Sequence, residues 1–242
     1  CGPKGKSSYE RTVERLEAAA KALPDLQTIS VVDPANVAYI AESVRDILAH
    51  GCRRVTLNPN WGAPEWEEEE VREVWAKGYD EVAEIYLEHF RRGEAIRISF
   101  IEDKIITRLK EGYAPCDQCD FGNLDFAVSA SGRIYPCERQ VGADGPDEEP
   151  MVIGTVDSGF DKQRQRKIHH AVKTIPKECR ECALADRCAN WCPCANIALT
   201  GDMGRPGGLL CWHEQTITAV ADRVAAELYA EKNRSFMQRF YS

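Results

Sequence analysis

Apolar residues recur at helical spacing in three early stretches and at alternating spacing between them. In "SYERTVERLEAAAKAL", residues 8–23, Val13, Leu16, Ala20 and Leu23 fall on one helix face. "LQTISVVD", Leu26–Asp33, reads as a strand. Asp33 and Pro34 then suit the cap and first turn of a helix, which carries Val37, Ile40, Val44 and Ile47 and stops at Gly51. "RRVTLNPNW" is a second strand and "EAIRISF" a third. Between them the acidic run Glu65–Glu70 opens a long helix reaching Arg92, its charge suited to the positive end of the helix dipole. This alternation predicts a parallel α/β sheet. A parallel sheet is normally covered on both faces and needs more than three strands. The first strand would have a bare edge, so a preceding part of the sheet is expected.

From Tyr113 the pattern changes to Gly, Pro and short strands. "LDFAVSASGRIYPC" alternates into a hairpin with its turn at Ala130–Gly132. "GADGPDEEP", Gly142–Pro150, is a polar loop. A last helix is expected from Glu214 to Asn233, with Ile217, Val220, Val224 and Leu228 on one face. The expected domains are therefore 1–112 and 113–242.

Composition adds class. The 242 residues are 43% hydrophobic and 29% charged, with net charge −8. That reads as soluble and globular, with no electrostatic case for nucleic acid; with nothing to suggest secretion, the expected compartment is cytoplasmic. No run of about 18 apolar residues predicts a membrane span, and no signal peptide opens the chain. Eleven cysteines, nine of them between Cys116 and Cys211, favour metal or cluster binding over a disulfide scaffold.

Their spacing is specific. Cys116 and Cys119 form C-x2-C, Gly132 and Cys137 form G-x4-C, and Cys179, Cys182, Cys188 and Cys192 form C-x2-C-x5-C-x3-C. Cys211 follows a Gly/Pro-rich loop. With Cys194 set aside, eight thiols suffice for two four-cysteine sites. Such sites suit zinc or iron–sulfur clusters, and spacing alone does not divide the eight. A loop-rich segment with a weak core would draw much of its stability from them.

The ordered series of these elements resembles the SPASM domain, the auxiliary-cluster domain at the C-terminus of many radical S-adenosylmethionine (radical SAM) enzymes. "GRIYPCERQVGADG" and "MVIGTVDSGFD" resemble its joining segments. The N-terminal half resembles the second half of the radical SAM barrel, with "CGPKGKSSYERTVERLEAA" similar to the stretch after its fourth strand. The resemblance implies an α/β fold: the second half of a parallel (β/α) partial TIM-like barrel, then a small cysteine-rich α+β SPASM domain.

It also implies two auxiliary [4Fe–4S] clusters. The first would use Cys116, Cys119, Cys137 and Cys192, and the second Cys179, Cys182, Cys188 and Cys211. Cys194 is left over, either an unligated neighbour or an exchange partner of Cys192. Cys52 reads as a buried core thiol and Cys1 as a broken or exposed end. In the family, strand ends contact SAM partly through backbone, which implies Ser30, Val32, Leu57, Asn58 and Asn60. Glu138 stands where the sulfatase-maturing branch has an Asp thought to act as the base. The bland readings are loop chemistry in "NPNW" and a surface salt bridge of Glu138 with Arg139. His169 and His170 read as an exposed helix or loop.

The family's catalytic cluster is held by C-x3-C-x2-C, and this sequence contains no such motif. The expected partners are therefore the missing radical-generating half, on the same or another chain, an external electron donor, and a peptide or protein substrate. SAM and a third [4Fe–4S] cluster would come only with that half. A 5′-deoxyadenosyl radical would then take a hydrogen from the substrate side chain. The alternatives are a zinc-stabilised binding module and an electron-carrier subunit for a separate radical SAM chain.

Overall fold

Strand β1, Gln27–Val32, pairs in parallel with β2, Arg54–Pro59, with Ser30 opposite Leu57 and Val32 opposite Pro59. The computed structural model describes residues 7–172 and 175–242, with backbone alone at 148 and 149. Cys1 and the rest of "CGPKGK" lie outside them. β2 pairs in parallel with a short β3, Arg97–Ile98, so the order is β1-β2-β3. Helices alternate with these strands: α1 Tyr9–Ala22, α2 Ile40–Ala49, α3 Glu69–Arg91 and α4 Ser99–Leu109.

Each departure from the sequence reading has a local reason. The second helix begins as a 3-10 turn, Val37–Tyr39, because Asp33 closes an Asx turn onto Ala35 N at 3.1 Å instead of capping it. The acidic run splits into a 3-10 turn, Pro64–Glu67, and α3. The third strand is cut short. "SFIEDKIITRL" becomes α4, burying Phe100, Ile101 and Ile105 at helical spacing. The strand reading of "EAIRISF" runs two residues too far, since Ser99 and Phe100 open the helix, and the charged triplet Glu102–Lys104 breaks a period of two. The helical face of α1 is formed but none of its residues is buried.

The period-two rule sets the faces of the sheet. Val32, Val55 and Leu57 are buried, on the face shared by Ser30. The other face carries Ile29 and Val31, which are 66% and 59% exposed, together with Asn58. Aromatic packing consolidates the helical layer, where Trp66 stacks on Trp75 at 4.0 Å and Tyr79 meets Phe100 at 4.4 Å.

Two compact units result. One runs to Leu109 and resumes at Thr216–Ser242; the other is Lys110–Gln215. The expected boundary put the whole C-terminal helix with the cysteines. Instead α5 Lys162–Val172, α6 Lys177–Arg180 and α7 Pro193–Thr200 belong to the second unit, while α8, Gly208–Ala230, crosses the boundary. Its later turns join the α/β unit because Arg223 pairs with Asp80 at 3.0 Å and Glu84 at 2.8 Å, and Arg91 reaches Glu227 at 3.1 Å. A further helix, α9 Arg234–Phe240, is capped by Asn233, whose Oδ1 accepts from Phe236 N. Phe236 is fully buried near Phe90.

The second unit holds a four-stranded antiparallel sheet: β4 Ala127–Val128, β5 Arg133–Tyr135, β6 Gly154–Thr155 and β7 Gly159–Phe160. Its apolar core is small: Phe121, Ile134, Ile153, Ile168 and Cys194, with Cys119, Cys137 and Cys192 against it. No described helix is long and apolar enough to cross a membrane.

Candidate metal centres

Each thiol is placed by a short local device. Cys116 sits in the 3-10 turn Pro115–Asp117, closed by Asp117 Oδ2 accepting from Ala114 N at 3.0 Å. Cys137 follows β5. The glycine that precedes it by five residues is needed for the hairpin, since Gly132 has φ +82° and a Cβ there would stand 3.0 Å from Val156 Cγ2. Cys192 is the N-cap of α7, with Pro193 in its first turn. Cys188 ends the 3-10 turn Ala185–Arg187, and Cys211 lies in the first turn of α8.

Six of these thiols, together with Cys194, interact in two sets. Burial, then Asp125 and the charges of Cys192 and Cys137, push the Cys119 thiol up to about 12. The Cys194 thiol donates to Cys137 Sγ at 2.9 Å and holds that sulfur's pKa below the usual thiol range. The same thiol, aided by the backbone N–H of Ala195 and the charge of Arg139, brings Cys192 down to about 6. As the donor to both, and buried, Cys194 is itself pushed far up. So Cys119, Cys137, Cys192 and Cys194 form one thiol nest.

The second group is Cys179, Cys182 and Cys211. Burial raises Cys179, and the charges of Cys211 and Cys182 add to it. Cys211 is raised by burial and then by Cys182 and Glu214. The Leu184 N–H donates to Cys182 Sγ at 3.4 Å. Ala189, the residue after Cys188, donates its N–H to Glu214 Oε2 at 2.9 Å, three residues beyond Cys211.

None of the ten described cysteines is in a disulfide. The donor set, soft thiolates in two groups, fits zinc or an iron–sulfur cluster. Among the described residues no three Cys, His, Asp or Glu side chains converge on a single-ion position. A tetrahedral zinc wants sulfurs about 3.8 Å apart, from bonds of about 2.3 Å. Ligands on the separate irons of a cube stand wider.

Cys52 is 1% exposed, with its Sγ 3.4 Å from the carbonyl oxygens of Leu26 and Arg54. It is a core thiol of the α/β unit, remote in sequence from both groups.

The expected strand-end residues are neighbours on β1 and β2: Ser30 pairs with Leu57, and Asn60 N donates to Val32 O at 2.8 Å. Ser30, Val32 and Leu57 share the face on which Val32 and Leu57 are buried, while Asn58 points to the opposite one. The Asn60 amide is committed locally. Its Nδ2 donates to Asp33 Oδ2 at 2.9 Å and its Oδ1 accepts from Gly62 N at 3.3 Å. Glu138 is exposed, and its carboxylate accepts from the Cys137 thiol at 3.4 Å. His169 and His170 lie on α5.

A cavity of about 760 Å³ opens beside Cys116 and Cys119, lined also by Asp120, Asp125, His169 and Trp191. Sequence reasoning missed Asp120 and Asp125; their closeness to the C-x2-C pair was the available signal.

No family model matches the chain, and no curated protein matches it. Solved structures do. The native protein anSMEcpe with bound AdoMet and the Cp18Cys peptide aligns at TM-score 0.70 and 13% identity, over 93% of this chain and 64% of that one. The same protein with AdoMet and the Kp18Cys peptide aligns at 0.71 and 14%, with the same coverage. Its hexahistidine-tagged form with AdoMet aligns at 0.66 and 14%, over 98% of this chain and 64% of the other. This chain thus spans 64% of the length of these structures, and the likeness to them is one of fold.

Proposed function

We propose that this chain is the C-terminal portion of a radical SAM enzyme of the SPASM type, acting on a peptide or protein side chain. The observation that carries the reading is the partition of the thiols. What supports it is that Cys119 interacts with Cys137 and Cys192, while Cys179 and Cys211 interact with Cys182. This is the interleaved division that the family resemblance implies and that spacing alone leaves open. In this reading Cys116 and Cys188 complete the two sets. Fold neighbours solved with AdoMet and with peptides support the substrate class.

Bound four-iron clusters would supply one-electron chemistry. The chain's own residues hold and shield them. The small apolar core packs against Cys119, Cys137 and Cys192, and Glu138 stands beside Cys137 as the candidate proton acceptor. The radical-generating half, with the SAM-binding cluster and its electron donor, would come from residues outside this sequence. The exposed apolar pair Ile29 and Val31 on β1 supports a neighbouring element there. Asn58 would face it by its side chain, and Ser30, Val32, Leu57 and Asn60 by backbone. Reducing cytoplasm is the compartment this chemistry suits.

The deciding experiment is metal and acid-labile sulfide analysis of the chain purified without oxygen. About eight iron and eight sulfide per chain is the expected result. About two zinc without sulfide would replace the reading with a zinc-stapled binding module. Turnover restored only by adding a separate radical SAM chain would make this an electron-carrier subunit.

A further inference from the structure

Cys194 is the thiol that a four-plus-four arrangement leaves over. It is 5% exposed and belongs to the core with Phe121, Ile134, Ile153 and Ile168. Its place follows from the local sequence. Cys192 caps α7, Pro193 starts it, and Cys194 is the next residue in the first turn. A side chain there leans back toward the helix start, which brings Cys194 Sγ to 2.9 Å from Cys137 Sγ and into hydrogen-bonding reach of Cys192.

The two sulfurs are in direct contact, with the Cys194 thiol as donor and Cys137 as acceptor. With four other thiols assigned to the first set, a thiol in this place has the role of donor to a ligand sulfur, and iron counts separate that role from ligation. A neutral thiol held against the core gives a hydrogen bond without adding charge.

We propose, resting on the reading that the first thiol group holds a four-iron cluster, that Cys194 is a positioning residue. It shares its S–H between the ligand sulfurs of Cys137 and Cys192 and so raises the reduction potential of that cluster. Reduction places more negative charge on the ligand sulfurs, and a fixed donor stabilises that state more than the oxidised one.

The test is an EPR-monitored redox titration with iron counts on the anaerobically purified chain and three variants. Cys194→Ala is expected to keep about eight iron per chain and to shift the first cluster to a lower midpoint potential. The second cluster should stay where it was. Cys194→Ser, which keeps an O–H donor, should restore the potential. If the Ala variant fails to fold, Cys194→Val fills the core volume without a donor and gives the same reading. An unshifted potential in the donor-free variants overturns the proposal. So does a loss of about four iron, which would make Cys194 a ligand. Zinc without sulfide in the parent chain would overturn the cluster reading as well, whereas eight iron with no shift overturns this inference alone.

Discussion

Glu214 Oε2 accepts a hydrogen bond from Ala189 N at 2.9 Å, joining the residue after Cys188 to the helix turn that starts with Cys211. Glu214 is 4% exposed, so the carboxylate is a buried clamp between the segment that carries Cys188 and the helix that carries Cys211. Glu214→Ala leaves a part-buried N–H without its charged acceptor, at a cost of about 1–3 kcal/mol. If the two proposed clusters are bound, iron analysis should show selective loss toward half occupancy, with the first cluster's EPR signal kept. Glu214→Gln, which keeps an acceptor oxygen, should retain most of the iron. Equal loss from both clusters would contradict this placement.

The buried Glu102 sets a second expectation. Its Oε2 takes Arg239 Nη2 at 2.6 Å and Arg97 Nε at 3.4 Å, and Tyr86 donates to its Oε1 at 3.1 Å. Burial pushes the Glu102 carboxyl above its usual range, against the two arginines. A carboxyl raised in the folded state binds its proton more tightly there than in the unfolded chain. Its contribution is therefore full in acid and is lost as pH rises through the folded value. Arg239→Ala removes the nearer cation and raises that value further. The variant should lose about 2–3 kcal/mol at pH 8 and clearly less near pH 4.5. Urea unfolding at the two pH values measures it. A loss independent of pH would mean that Arg239 acts by packing alone.

Much of this arrangement can be read from the chain, and the exceptions have physical causes. β1, β2 and α3 follow from period, because each turns one regular face inward. α4 was hidden because a two-residue β3 runs directly into it, and Ile101, Ile105 and Ile106 carry strand propensity. The return of α8 and α9 to the α/β unit depends on pairs distant in sequence, such as Arg223 with Asp80, which no local pattern encodes. The eight thiols were visible as a set. Their closeness within each group is a tertiary property, and the donor role of Cys194 rests on a distance rather than a spacing. Asn60 shows the reverse case. "NPNW" reads equally as ligand or loop until its amide is seen bonded to Asp33 and Gly62.

Gly132 turns the hairpin that delivers Cys137. Its φ of +82° is costly for any residue with a Cβ, and the added carbon would press on Val156. Gly132→Ala should cost about 1–2 kcal/mol and displace Cys137 from Cys119 and Cys192. Under the proposed two-cluster reading, iron loss should fall on the first cluster, opposite to the Glu214 variants. Cys52→Ala is the matched control, since its sulfur lies in the α/β unit, and iron content should be unchanged. If Cys52→Ala loses iron and Gly132→Ala does not, the assignment of the thiols is wrong.

Asp33 and Asn60 form the loop at the end of β1 and β2, where Asn60 N also donates to Val32 O at 2.8 Å. The Asn60 amide, and then the Ala35 N–H, hold the Asp33 carboxyl below its ordinary range. A depressed carboxyl contributes stability above its unfolded pKa, and that contribution fades as pH falls through the folded value. Asn60→Ala removes the larger cause, so Asp33 should titrate closer to an unperturbed aspartate, followed by NMR of its side-chain carboxyl. The acid limb of the stability curve should flatten to match, with a loss of about 1 kcal/mol at neutral pH. Asn58→Ala, on the opposite face of β2, should leave the Asp33 titration where it was. An unmoved Asp33 in Asn60→Ala would show that the amide is not what holds this turn, and would return Asn60 to the pool of ligand-binding candidates.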